Sequence, residues 1–205
     1  MTRQIVAGTG WALDTAFELA GQLGLEPMRL PLTSTDGYNF DISSLRAEHP
    51  SEDTAVFVAL DERAINYARQ SLIAVVRLAG YRTFNLVSPS AVVEPGVRLM
   101  GNVLVGPGCS IASGCTLGMG SWLDRQVVLD RDVKLGSCVS LRAGVLLAEQ
   151  VQIGTGSTLS AGSSACARTQ VGKHCEWLLG GQLPAALADR SFFDGLLVDG
   201  ARILQ

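Results

Sequence analysis

Six of the thirteen charged side chains between residues 93 and 176 crowd into one short stretch: Asp124, Arg125, Asp130, Arg131, Asp132 and Lys134. The stretch before it, Leu99 to Leu123, carries no charge at all. A carboxylate such as Asp124, Asp130 or Asp132 could take a proton as a general base. Arg125 and Arg131 stay protonated in a protein and cannot, but a guanidinium pairs in two-pronged fashion with a phosphate or carboxylate. A second candidate lies near the amino terminus, where Gly8-Thr9-Gly10 sits between a strand pattern and a helix pattern and backbone N–H groups can cradle phosphate. Its spacing departs from G-x-G-x-x-G because position 13 is Leu13. Asp36 and Asp61 follow later strands, at the edge where parallel sheets bind ligands. The two histidines, His49 and His174, are too few for a three-histidine zinc site. Of the five cysteines none forms a CxxC pair, so neither a metal site nor a disulfide is expected.

Two kinds of element must position these groups. Residues 1 to 87 alternate strand and helix: strands at Gln4 to Ala7, Met28 to Leu32, Thr54 to Ala59 and Arg82 to Leu86, and helices between them. The first helix carries Leu13, Ala16, Phe17, Ala20 and Leu23 on one face and stops at Gly24. Ser43 to Glu48 forms a short middle helix ended by Pro50. Asp61 is expected to cap the last one, whose stripe runs from Ile65 through Ala68, Leu72, Val75 and Val76 to Ala79, with Gly80 closing it. The order implies a small Rossmann-like parallel sheet covered by helices.

From residue 88 a period of six replaces both. Every sixth residue from Val93 to Trp177 is Val, Ile or Leu in thirteen of fifteen cases, and four residues after most of them stands a small or β-branched one, Cys109, Cys115 and Cys175 included. Gly106, Gly118, Gly136, Gly154 and Gly172 follow the large aliphatic, where a tight corner would exclude a side chain. Such a repeat is the signature of a parallel β-helix. The expected divisions are 1–87, 88–187 and a tail, 188–205.

The composition agrees: 23 glycines, 47% apolar residues and 17% charged ones against about 25% in ordinary domains, with a net charge of −3 that argues against nucleic-acid binding. Apolar runs are too short for a membrane span and no signal-peptide core opens the chain, so a cytoplasmic location is expected.

The hexapeptide pattern resembles the left-handed β-helix of bacterial sugar acyltransferases of the sialic-acid O-acetyltransferase and UDP-amino-sugar N-acetyltransferase type. There a small nucleotide-sugar-binding domain precedes the β-helix, and a motif near N-T-G-[SA]-x-[VI]-[ED]-H-[DE]-C-x-[IV]-G supplies a histidine base. Gly118-Met119-Gly120-Ser121-Trp122-Leu123-Asp124-Arg125 matches it with Arg125 at the histidine position. A second alignment, Leu129 to Gly136, puts Arg131 there, and the family's second histidine becomes Lys134 or Ser140. The resemblance implies a homotrimer that transfers an acyl group from acetyl-CoA or another acyl-CoA to an amine or hydroxyl of a nucleotide-linked sugar, without a metal. It implies catalytic roles for Asp124, Arg125, Asp130 and Arg131, sugar-nucleotide contacts at Gly8, Thr9, Gly10, Asp36 and Asp61, and coenzyme A contacts at Lys134, Gly144, Ala161, Gly162, Gly180 and Gly181. The last pair opens Gly180-Gly181-Gln182-Leu183-Pro184-Ala185, similar to the family's closing G-x-P-A. The missing histidine leaves a catalytically inactive nucleotide-sugar-binding or scaffolding protein as the alternative.

Overall fold

The computed structural model describes residues 2–202. Its amino-terminal part is a four-stranded parallel sheet in which β1 (Arg3–Gly8) lies between β2 (Met28–Pro31) and β3 (Thr54–Ala59), with β4 (Arg82–Thr83) beyond β3. The helices are α1 (Gly10–Gln22), α2 (Ser43–Glu48) and α3 (Tyr67–Leu78). Alternation sends successive residues of a strand to opposite faces. Ile5, Ala7, Val56 and Val58 pack under α2 and α3, whereas Val6, Phe57 and Ala59 pack with α1 and with Leu104 and Trp122 of the β-helix.

From Leu86 the chain winds as a left-handed parallel β-helix of three faces. The first runs from Leu86–Val87 to Glu176–Trp177 and is extended by Ser191–Phe193 and Ala201–Arg202. The second runs from Val92–Val93 to Gly181–Gln182, and the third from Arg98–Leu99 to Ala186–Leu187. Leu117 pairs with Leu135 and Leu123 with Leu141, so one coil takes 18 residues. The last coil is shorter, since Val171 pairs with Leu187. Each sixth residue points inward, and from Ile111 to Leu159 this column is completely buried, with Cys109, Cys115 and Cys175 beside it.

Two kinds of corner residue make the turn. Gly118, Gly136, Gly154 and Gly172 stack at one corner, where a Cβ on Gly118 would come within 2.4 Å of the Gly136 backbone. Three residues after each large aliphatic the backbone enters the left-handed region, at Gly96, Asn102, Gly108 and so on to His174 and Gly180. The sequence pattern drew attention to the first kind and passed over the second, because Gln126, Cys138, Gln150, Arg168 and His174 also occupy it.

Three expectations are corrected. Asp61 does not cap α3: Ala64, Ile65 and Asn66 form a left-handed turn, and the helix starts only at Tyr67. The strand expected over Arg82 to Leu86 is two strands, because Leu86–Val87 leaves the small sheet to pair with Leu104–Val105. The β-helix therefore begins just before the expected 87/88 division, and residues 191–193 of the tail continue its first face.

Candidate active site

The corner that follows the first face gathers six of the residues singled out. The 18-residue register stacks Asp124 over Arg142, Arg125 over Ala143 and Ala161, and Gln126 over Gly144, Gly162 and Gly180. Backbone hydrogen bonds fix the stack: Gly144 N–H donates to the Arg125 carbonyl and Gly162 N–H to the Ala143 carbonyl, each at 3.0 Å. A Cβ on Gly144 or Gly162 would meet nothing within 4 Å. Below the exposed Arg125, then, runs a smooth track of small residues with accessible backbone. Coils stack about 4.8 Å apart, so three of them give roughly 14 Å of track.

Arg131 and Asp130 stand at the next corner, after the second face, where the Asp130 carboxylate accepts the Arg131 N–H at 2.7 Å. Lys134 lies exposed on the third face, and Gly181 starts the last strand of the second. The structure thus brings Arg125 and Asp124 together with Gly144, Ala161, Gly162 and Gly180, and sets Arg131, Asp130 and Lys134 apart from them.

On the other side of the same corner the small domain meets the β-helix, and the seam between them is the candidate acceptor cleft. Gly8-Thr9-Gly10 opens α1, and its first glycine is obligatory, since a Cβ there would fall 1.8 Å from the Ala59 carbonyl oxygen. Trp11 comes next, 41% exposed, with its ring 5.0 Å from the Arg142 guanidinium and 5.6 Å, edge to face, from Trp122. Arg142 lies 3.6 Å from Asp124 and 3.4 Å from Glu62, which belongs to the loop after β3. It makes an ion-pair bridge from the β-helix to the small domain, too long for strong hydrogen bonds. Glu176 is half-buried on the same face, and burial followed by the neighbouring Glu62 pushes its carboxyl up. Among the described residues the buried Trp122 Nε1 has no hydrogen-bond partner.

Asp36 and Asp61 lie in the loops after β2 and β3 and are occupied within them. Asp36 accepts hydrogen bonds from Tyr38 N–H and Asn39 N–H at 2.8 Å and from the Asn39 side chain at 2.7 Å, which hold its carboxyl far below the usual range. Asp61 is gripped by Arg63 at 2.6 and 2.8 Å, and this hydrogen bonding lowers it too. Arg63 also donates to the Gly37 carbonyl, joining the two loops. Both aspartates organise the loops that carry them.

A buried polar network fixes the small domain on the β-helix. Asn66 donates to the Gly156 carbonyl and Thr158 hydroxyl, both at 3.0 Å. Arg69, fully buried, donates to the carbonyls of Leu60 and Cys138, to Ser140 Oγ at 2.6 Å and to Asn66 Oδ1. Burial pushes its guanidinium downward. Tyr67 stacks on His174 at 4.2 Å. Trp11, Glu62, Arg69 and Arg142 were missed in the sequence. One signal was present for Arg142, which stands one 18-residue coil after Asp124.

No family model matches the chain, and no curated protein matches it either. Solved structures do. A histidine-to-asparagine variant of perosamine N-acetyltransferase from Caulobacter crescentus, in complex with CoA and GDP-perosamine, is 23% identical with a TM-score of 0.81, over 96% of this chain and 95% of that one. The acetyltransferase domain of PglB from Neisseria gonorrhoeae, in complex with acetyl coenzyme A, is 20% identical with a TM-score of 0.79, over 94% and 96%. WeeI from Acinetobacter baumannii is 16% identical with a TM-score of 0.61, over 94% and 96%. The likeness spans both parts of the chain and establishes the shared fold. Among the described residues no group of His, Cys, Asp or Glu could hold a metal ion, and no helix is long and apolar enough to cross a membrane.

Proposed function

We propose that this protein transfers an acyl group from an acyl-CoA thioester to an amine of a nucleotide-linked sugar. The observation that carries the reading is the single corner on which two sites meet: a track of Ala143, Gly144, Ala161, Gly162 and Gly180 on one side, an aromatic and charged cleft on the other. The track suits the extended pantetheine arm, which needs backbone hydrogen bonds and no bulky side chain. The cleft lies where Gly8-Thr9-Gly10 offers helix N–H groups to a diphosphate. The structural neighbours that bind CoA, and in one case GDP-perosamine, support the same assignment.

Arg125, at the head of the track, pairs with a phosphate or carboxylate of a substrate and holds it in place. Positioning alone contributes many kcal/mol to a two-substrate transfer. Asp124 takes a proton from the substrate ammonium. The freed amine then attacks the thioester carbonyl, a corner N–H steadies the oxyanion, the C–N bond forms as the C–S bond breaks, and the departing thiolate takes the second proton. Arg131 and Asp130 have no part in this step. The exposed apolar residues of the second face, Val92, Val128 and Leu146, support packing of three copies around that face, which would set the Arg125 track between neighbours. A cytoplasmic location fits these substrates.

Arginine at the family's histidine position favours a second reading, an inactive protein that only binds nucleotide sugar. Incubation with a panel of acyl-CoAs and nucleotide-linked amino sugars, following free thiol, separates the two. Thiol release with one pair is expected. Thermal stabilisation by a sugar nucleotide without release from any pair establishes the inactive reading.

A further inference from the structure

At the far end of α3 from the cleft, two adjoining hollows of about 520 and 620 Å3 share Arg77 and Met119. Ten residues of helix separate Arg77 from Tyr67 at the start of α3, about 15 Å. The first hollow has Ile73, Leu78 and Ser137 in its wall, and the second has Arg82, Leu99 and Met100. No carboxylate among the described residues lines either one. Among the described residues neither guanidinium makes an ion pair: Arg77 reaches the Met119 sulfur at 3.4 Å and Arg82 the Thr2 hydroxyl at 3.5 Å. Both side chains are exposed, so among the described residues the groove presents two guanidinium groups to solvent and no carboxylate. Met100, 53% exposed, and the partly buried Met119 supply flexible thioethers, a surface that packs against flat rings.

We propose that this groove is a second ligand site, distinct from the cleft, for a purine nucleoside phosphate, with its phosphate between Arg77 and Arg82 and its ring against Met100 and Met119. The volume lies in the range of small-molecule sites, and the lining has their usual form, an apolar wall with a few converging polar groups. Arg77 also stands in the last turn of α3, where its charge complements the helix carbonyls. That role alone would affect stability without creating nucleotide affinity.

The test is calorimetric titration of the full chain with AMP, 5′-ADP, 3′,5′-adenosine bisphosphate and inorganic phosphate. Saturable binding of at least one nucleotide is expected, weakened about tenfold or more by Arg77→Gln with Arg82→Gln, as for loss of charge-assisted hydrogen bonds. Met100→Ala with Met119→Ala should weaken the nucleotide but not inorganic phosphate, and Arg142→Gln in the cleft should leave the groove's affinity unchanged. Preference for the 3′,5′-bisphosphate would identify the adenosine end of coenzyme A as the source of the ligand, and preference for AMP or 5′-ADP a free nucleotide. Absence of saturable nucleotide binding overturns the proposal. So does binding that Arg142→Gln abolishes and the double arginine variant retains.

Discussion

Replacing Arg142 by Gln removes the side chain that ties Asp124 of the β-helix to Glu62 and Trp11 of the small domain. Its pairs are 3.6 and 3.4 Å long, and the three charged side chains are each about a third exposed. Ion pairs of that exposure contribute about 0.2–1 kcal/mol each, and a cation–π contact at 5.0 Å roughly 0.5–1 kcal/mol. The variant should therefore lose about 1–3 kcal/mol, a fall in melting temperature of roughly 2–10 °C for a chain of this size. Concentrated salt should narrow the gap, because the screening length shrinks to about 3 Å at 1 M. The effect on catalysis should be larger and selective. The track for the thioester does not include Arg142, so the KM for acyl-CoA should change little, while kcat/KM for the acceptor should fall by about ten- to a hundredfold as the cleft wall loosens. Two-substrate kinetics of thiol release beside thermal melts at low and high salt measure both. Unchanged acceptor kinetics would refute the assignment of this cleft to the acceptor, and a loss well above 4 kcal/mol would show Arg142 to be a structural lock instead.

Glycine substitutions should separate close approach from backbone conformation. Gly136→Ala puts a Cβ 2.5 Å from Thr155 N and should cost at least about 3 kcal/mol in denaturant unfolding, whereas Gly144→Ala meets open space at φ +69° and should cost about 1–2 kcal/mol. Stability should also vary with pH in two opposed ways. Burial lowers the His174 imidazole, so its contribution is complete above the unfolded value near 6.5 and is lost as pH falls through the lower folded one; His174→Asn should flatten the profile there. The raised Glu176 carboxyl stabilises the fold below its unfolded value and loses that contribution as pH rises, so Glu176→Gln should raise the melting temperature at neutral pH. Val128→Lys with Leu146→Lys should yield monomers in sedimentation analysis, where the parent chain is expected as a trimer.

The parts of the fold that repeat were legible, because a β-helix writes its core into every sixth position. Thr54–Ala59 and Ser43–Glu48 could be read to the residue, the first from a run of apolar and β-branched residues, the second from its proline stop. The start of α3 could not be, because Asp61 looks like a cap while the left-handed turn at Ala64 to Asn66 is held by contacts with Gly156 and Thr158, some ninety residues on. The candidate site was half legible. A motif placed chemistry near residue 125, but two alignments competed, and only the coil register shows that Gly144, Ala161, Gly162 and Gly180 share a corner with Arg125 and not with Arg131. The cleft escaped detection because Trp11 and Glu62 reach Arg142 only when the small domain docks on the first face.

The central claim is that acyl transfer takes place at the Arg125 corner, and the most direct test is kcat/KM for thiol release by Arg125→Ala beside Arg131→Ala. Removing a charge-assisted contact of about 1.5–3 kcal/mol predicts a fall of roughly ten- to a hundredfold for Arg125→Ala. Arg131→Ala should stay within about twofold of the parent, its guanidinium having no contact with the track. Equal activity of Arg125→Ala and the parent, with the loss appearing in Arg131→Ala, would move the reaction to the next corner and contradict the account.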